Sequence, residues 1–193
     1  MKMQSKRQAG MTLIELIIVV VVIGVLAIVG ARAFSSSGVT DNAKANAIFE
    51  GTKKLSTNLV MLAQFAGVSS DFAATSLPVS GSSVMDVLVQ GSGKLKPEYA
   101  SAWTQSGIMA LSDVAQGSGV SYTIAGYDVK VAGGGTGPHT FTLSVPEAVA
   151  NSMVVKYGSG NVPIATAADS TAPVIRYKAV ANGMREVTIV RPL

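Results

Sequence analysis

Gly10-Met11-Thr12-Leu13-Ile14-Glu15, followed from Leu16 to Val29 by Leu-Ile-Ile-Val-Val-Val-Val-Ile-Gly-Val-Leu-Ala-Ile-Val, is the stretch on which the reading turns. The second part holds no polar side chain over fourteen positions. Extended back to Met11 and forward to Ala31 it covers 21 residues, broken only by Thr12, Glu15, Gly24 and Gly30. As a helix rising about 1.5 Å per residue it spans roughly 30 Å, the thickness of a bilayer core. It is apolar all round, which a surface amphipathic helix is not. Lys2, Lys6 and Arg7 precede it, and that positive flank keeps its start on the cytoplasmic side.

Three fates fit such a segment: a secretory signal peptide cleaved at Ala31-Arg32-Ala33, a single-pass anchor, or something that uses Glu15. A carboxylate within the apolar run costs about 2–3 kcal/mol even on permissive insertion scales, and such residues mark function. Locally, Thr12 can cap the helix while Glu15 bonds back to the Thr12 backbone, a capping box. Gln would serve that box without a charge.

The order of glycine, an apolar residue, Thr-Leu-Ile-Glu and an uninterrupted apolar helix, behind a short basic leader, resembles the processing signal of type IV pilins and pseudopilins. The resemblance covers roughly the first 65 residues. It implies that a membrane aspartyl peptidase cuts between Gly10 and Met11 and methylates the new Met11 amine. It also implies that Glu15 is the assembly carboxylate and that the assembly machinery of the inner membrane is a partner. Met11 after the glycine, with the later order of Val145-Pro146-Glu147 helix, strand and hairpin, resembles the type IVb branch, although the ten-residue leader is shorter than that branch tends to have. Many type IV pilins staple the C-terminal part of the head with a disulfide, and this chain has no cysteine.

Physics supports the arrangement independently. Cleavage after Gly10 leaves a cationic amine close to Glu15, and either charge unpaired in an apolar bundle is expensive. A neighbouring copy displaced along the bundle can place its amine against this Glu15, which sets the axial register.

The whole chain has 193 residues, 48% of them hydrophobic and 13% charged, with a mean hydropathy of +0.42. Its net charge of +4 comes largely from the first ten residues; the remainder carries 12 basic against 11 acidic residues. No basic patch interleaved with aromatics marks a nucleic-acid site. Without cysteine, and with His139 the single histidine, thiolate metal sites, two-histidine sites and cysteine nucleophiles are excluded. No cofactor is expected, no Ser-His-Asp set can be defended, and the expectation is a structural protein rather than an enzyme.

Past Ser35-Ser36-Ser37-Gly38, a linker or a soft joint, Ala45, Ile48, Leu55, Leu59, Leu62 and Ala66 recur at threes, fours and sevens. Val60 and Phe65 flank this stripe. That period predicts an amphipathic helix from about Asp41 to Ala66, ended at Gly67. Ser83–Val89 and Pro97–Gln105 are candidate short helices, the latter with Pro at its first position. Tyr99 and Trp103 are expected to pack, and Lys94 and Lys96 to sit in a solvated loop. From Val120 the period becomes two. Strands are expected at 120–124, 127–131, Thr140–Val145, Pro173–Val180 and Arg185–Arg191, with turns at Ala125-Gly126 and Asn182-Gly183. Pro146–Met153 reads as a helix with Pro at its first position, and Gly133–Pro138 as a loop that is no phosphate cradle. His139 is expected in a loop or at a strand edge. Val174, Ile175, Tyr177, Val187 and Ile189 are expected to hold the C-terminal sheet by pairing and apolar packing alone.

The fold expected is α+β: a long N-terminal helix, apolar then amphipathic, on an antiparallel sheet. Its divisions are a leader at 1–10, an apolar helix at 11–38, an amphipathic helix at 39–67 and a head at 68–193. The function expected is a pilus subunit, held in the inner membrane as precursor and then polymerised with its own copies into an extracellular fibre. The alternatives are a minor pilin or secretion pseudopilin, and a secreted or anchored binding domain.

Overall fold

The computed structural model describes residues 37–116, 121–158 and 169–193. Gly10, Met11, Thr12, Glu15, the apolar run and Val120 lie outside them. Among the described residues no helix is long and apolar enough to cross a membrane.

The 3.6-residue period after the Ser-Gly patch produces helix α1, Ser37–Ala66, which begins four residues before the expected Asp41. Ala45, Ile48, Leu55, Leu59 and Leu62 are fully buried, and Ala66 is partly buried. The helix ends where Gly67 turns left-handed at φ 67°. There the Val68 N–H donates to the Ala63 carbonyl at 3.0 Å, closing the last turn as a Schellman motif does. Helix α2, Val84–Gln90, starts at Ser83, whose hydroxyl accepts from the Asp86 N–H while the Asp86 carboxylate accepts from the Ser83 N–H. The expected Pro97–Gln105 helix is a 3-10 turn at Pro97–Tyr99 that runs into helix α3, Ala100–Ser106. Tyr99 and Trp103 pack against the core as expected. Lys96 is not free in solvent: its ammonium donates to the Thr75 carbonyl at 3.2 Å.

Six strands form one antiparallel sheet: β1 Val114–Gln116, β2 Tyr122–Ile124, β3 Tyr127–Gly133, β4 His139–Pro146, β5 Ile175–Tyr177 and β6 Met184–Arg191. Their order is β1-β2-β3-β4-β6-β5. Strand β1 was not expected, because three residues in a Ser- and Gly-rich stretch are too short to display a period. Asn182 and Gly183 both take positive φ, 51° and 75°, as a type I′ hairpin demands. The Ala125-Gly126 hairpin is built likewise, with Ala125 at φ 53°. The strand expected over Pro173–Val180 shortens to Ile175–Tyr177, and the Lys178 carbonyl turns instead to the Arg185 guanidinium at 2.9 Å.

Helix α4 runs from Glu147 to Tyr157, and Pro146 is not its first residue but its N-cap, with ψ 147°. Pro146 closes β4 as well, pairing with Met184. Its ring fixes φ for the turn, and its extended ψ keeps it in the strand.

Register puts His139, Phe141, Leu143 and Val145 of β4 opposite Arg191, Ile189, Val187 and Arg185 of β6. All eight point to one face, because side chains alternate along a strand. Their apolar members join the α1 stripe in one hydrophobic cluster. The other face carries Thr142 and Thr188, whose hydroxyls meet at 3.0 Å.

Candidate functional site

The residues marked from sequence (Gly10, Met11, Thr12 and Glu15) lie outside the described residues, so the site open to description is the seat of the long helix that follows them. Three kinds of contact hold α1 there.

The first is close approach. Gly51 lies mid-helix, where glycine costs about 1 kcal/mol against alanine. A Cβ at Gly51 would stand 3.0 Å from the Ile124 side chain, so the missing methyl lets α1 descend onto β2. The glycine-rich β3–β4 loop does the same for the segment after α1. Gly134 takes φ 121°, and a Cβ there would sit 2.1 Å from the Ser70 carbonyl oxygen.

The second is a buried polar bridge. His139 is 0% exposed and stands in a strand with neighbours on both sides, which corrects the loop or strand-edge expectation. Its Nε2 lies 2.8 Å from the Ser70 carbonyl, which can only accept, so that nitrogen carries a proton. Its Nδ1 lies 2.8 Å from the Ser56 hydroxyl of α1, and Phe72 packs edge-on at 4.8 Å. One imidazole thus ties the helix, the sheet and the loop after the helix. Ser56 is itself only 8% exposed, so this hydroxyl–imidazole pair offers no room for a substrate. A period-two reading through Phe141, Leu143 and Val145 would have placed His139 inside.

The third is an aromatic and cationic stack. Arg191 lies over the Phe49 ring with its carbon 3.8 Å from the centroid. Its Nη2 donates to the Phe49 carbonyl at 2.7 Å and to the Thr52 hydroxyl at 3.3 Å. Phe49 in turn stacks on Tyr157 at 3.7 Å between centroids and 4° between planes. The Tyr157 hydroxyl and the Lys156 ammonium both donate to the Asn46 side-chain carbonyl at 2.7 Å. Burial pulls the Arg191 guanidinium below its ordinary value, opposed by the charges of Glu50 and Tyr157. It remains a cation, since no shift of this kind deprotonates arginine near neutrality.

Arg185 extends the same logic to the sheet. It is fully buried, donates to the Lys178 carbonyl, lies 5.2 Å over the Tyr177 ring and stands 3.7 Å from the Glu147 carboxylate. The C-terminal region is therefore not held by pairing and apolar packing alone, as expected from sequence. Ile175, Val187 and Ile189 are buried and Val174 and Tyr177 partly so, with two inward-facing arginines among them. The exposed Lys54–Asp113 pair adds little to this, being about half in solvent at each end.

Among the described residues no cluster of three or more His, Asp or Glu could hold a metal. The arrangement clamps a helix to a sheet; its chemistry is adhesion between elements.

Residues 5–31 match the family model of the prokaryotic N-terminal methylation motif, which is the type IV prepilin signature. The match takes in Gly10, Met11, Thr12 and Glu15 and supports a type IV pilin-like or pseudopilin precursor. No curated protein and no solved structure matches the chain.

Proposed function

We propose that this chain is the structural subunit of a type IV pilus. The peptidase cuts it between Gly10 and Met11, methylates Met11, and leaves Glu15 to pair with the amine of a neighbouring copy. Thr12 caps the helix so begun. The precursor resides in the inner membrane through its apolar segment and is delivered by the assembly machinery to a fibre on the cell surface.

The observation that carries this reading is the methylation motif over residues 5–31, which takes in the apolar run and ends six residues before α1. Each large aliphatic side chain gains roughly 1.5–3 kcal/mol on full burial, so such a segment leaves lipid only for a bundle of its own copies. The seat of α1 supports the same reading. A fibre held by its helices loads the seat of α1, where Gly51, Ser56, Phe49 and Asn46 join the buried apolar stripe in holding helix to sheet. A minor pilin or pseudopilin shares this assembly and differs in abundance, so a major subunit dominates sheared fibres.

Intact mass and N-terminal sequencing of sheared surface filaments test the proposal. A methylated Met11 at the first position is the expected result. A chain beginning at Phe34, released as a secreted domain, overturns it.

A further inference from the structure

The tip of the β5–β6 hairpin is open to chemistry. Ala181, Asn182 and Gly183 are all exposed. Ala181 and Met184 close the turn with two hydrogen bonds of 2.9 and 3.0 Å, which leaves the Gly183 N–H outside the ladder. Among the described residues no hydrogen bond ties that N–H or the Asn182 side-chain amide. Glycine has no side chain to shield its own nitrogen, and a Cβ at Gly183 would meet nothing within 4 Å. The other asparagines of the described residues are placed differently. Asn42, Asn46 and Asn58 lie in α1 and Asn151 in α4, where the next residue spends its N–H on the helix ladder and carries a Cβ. In the sequence Asn161 is followed by Val162, whose branched side chain hinders its nitrogen.

We propose that Asn182 is a site of spontaneous deamidation, that opening of the hairpin tip governs its rate, and that its isoaspartyl product loosens the end of the sheet that holds Arg185. The Gly183 nitrogen attacks the side-chain carbonyl carbon of Asn182. A nitrogen–carbon bond forms, the bond from that carbon to the amide nitrogen breaks, and ammonia leaves with the proton that Gly183 gave up. Water then opens the cyclic imide at either carbonyl. Its hydroxyl completes the new carboxyl group and its other proton returns to the Gly183 nitrogen, leaving aspartate or isoaspartate. Nothing is oxidised or reduced. The inference holds whatever the chain assembles into.

The closed turn sets the pace. Ring closure joins the Asn182 side chain to the Gly183 nitrogen, and a backbone held at φ 51° and 75° in a type I′ turn must swing out of it first. Opening costs the two Ala181–Met184 hydrogen bonds, a local fluctuation of the kind that folded chains make at their loop tips. The product is harder to absorb than the opening. Isoaspartate routes the main chain through the former side chain and lengthens it by a methylene group, so the two-residue loop no longer matches its strands. In the next rung the Lys178 N–H donates to the Glu186 carbonyl at 3.0 Å, and the Lys178 carbonyl accepts from the Arg185 guanidinium at 2.9 Å. Arg185 is fully buried and stands 3.7 Å from Glu147 of α4. Damage at the tip therefore reaches a buried cation and the helix beside it.

The full-length chain in detergent is incubated in warm, mildly alkaline buffer beside the same chain unfolded in urea, and its peptides are mapped by mass over time. Conversion of amide to acid at Asn182 ahead of every other asparagine is expected, with enzymatic methylation of isoaspartate marking the product. The folded chain should convert about tenfold more slowly than the unfolded one, since two hydrogen bonds must break before the ring can close. Earlier conversion of a helical asparagine overturns the site, as does an Asn182 still intact in the folded chain long after the unfolded chain has converted. Equal rates overturn the governing role of the turn. N182G is the control variant: it removes the amide and keeps a residue suited to positive φ. After the same incubation the unsubstituted chain should unfold at a lower urea midpoint than before, while N182G holds its own. Equal shifts in both chains, or none in either, overturn the link from the tip to the sheet.

Discussion

The guanidinium of Arg191 covers the ring of Phe49 at 3.8 Å, so the last strand of the sheet finishes on the long helix and not in solvent. Phe49 is stacked from its other side by Tyr157. Strand β6, helix α1 and helix α4 therefore meet at one ring, and the C-terminus closes the head without a covalent staple.

Arg191→Lys keeps the charge and loses the planar fork. A lysine ammonium cannot lie flat on Phe49 while also reaching the Phe49 carbonyl and the Thr52 hydroxyl. Loss of about 1–2 kcal/mol is expected, the sum of a partly buried cation–π contact and one hydrogen bond. A urea midpoint for the full chain in detergent measures it; an unmoved midpoint shows that the stack is incidental.

Gly51→Ala should destabilise by about 1 kcal/mol, although alanine is the better helix former by about that amount. The new methyl meets Ile124, which is fully buried and cannot retreat. Ile124→Ala removes the obstacle at its own cost. Together the two substitutions should cost less than their separate sum, which is the signature of contact. Strict additivity would show that α1 and β2 do not press on each other at this point.

Asp86 and Tyr122 give the head two pH-dependent edges. Burial raises the Asp86 carboxyl, but hydrogen bonds from Tyr122 and from the Ser83 backbone and hydroxyl together hold it below its ordinary value. Its contribution is present above the unfolded carboxylate range and fades as pH falls through the lower folded value, below about pH 4. Burial, with the hydrogen bond to Asp86, pushes the Tyr122 phenol up to about 12. That contribution is complete below the unfolded value near 10 and disappears as pH climbs towards 12. Tyr122→Phe should raise the acid unfolding midpoint and flatten the alkaline limb. Far-UV dichroism against pH would register both, and an acid midpoint that stays put would free Asp86 of any dependence on the tyrosine.

Glu15→Gln retains the capping geometry and deletes the charge. If the carboxylate sets the axial register by pairing with the amine of Met11 on the next copy, filament yield should collapse while the leader is still removed. Electron micrographs of sheared material decide it, and filaments at normal yield would show that the pair is dispensable.

The α1 stripe was legible because each of its members answers to a helix period that no other element shares. The Asn182-Gly183 turn was legible because only residues tolerant of positive φ fit it. Reading Pro146 as the first residue of a helix missed that it also closes a strand, since a proline's fixed φ suits both. His139, Arg185 and Arg191 were the larger omissions. Period two marked His139 and Arg185, since β4 alternates strictly and β6 does so as far as Ile189, while their polarity argued for solvent; at Arg191 the alternation is broken by the buried Val190 beside it.

Sequence by itself determined the α+β class, the processing motif and the buried line of α1, since each depends on a local pattern of charge, period or turn chemistry. Only the tertiary structure decided that an imidazole and the Arg185 guanidinium lie inside, with the Arg191 guanidinium partly so. Their burial is tolerable because carbonyls and hydroxyls converge on them, from distant segments for His139 and Arg191 (Ser70, Ser56, Phe49) and from across the β5–β6 hairpin for Arg185 (Lys178). Buried polar groups survive when most of their donors and acceptors are met, and for His139 and Arg191 those partners lie far away along the chain, where no local pattern records them.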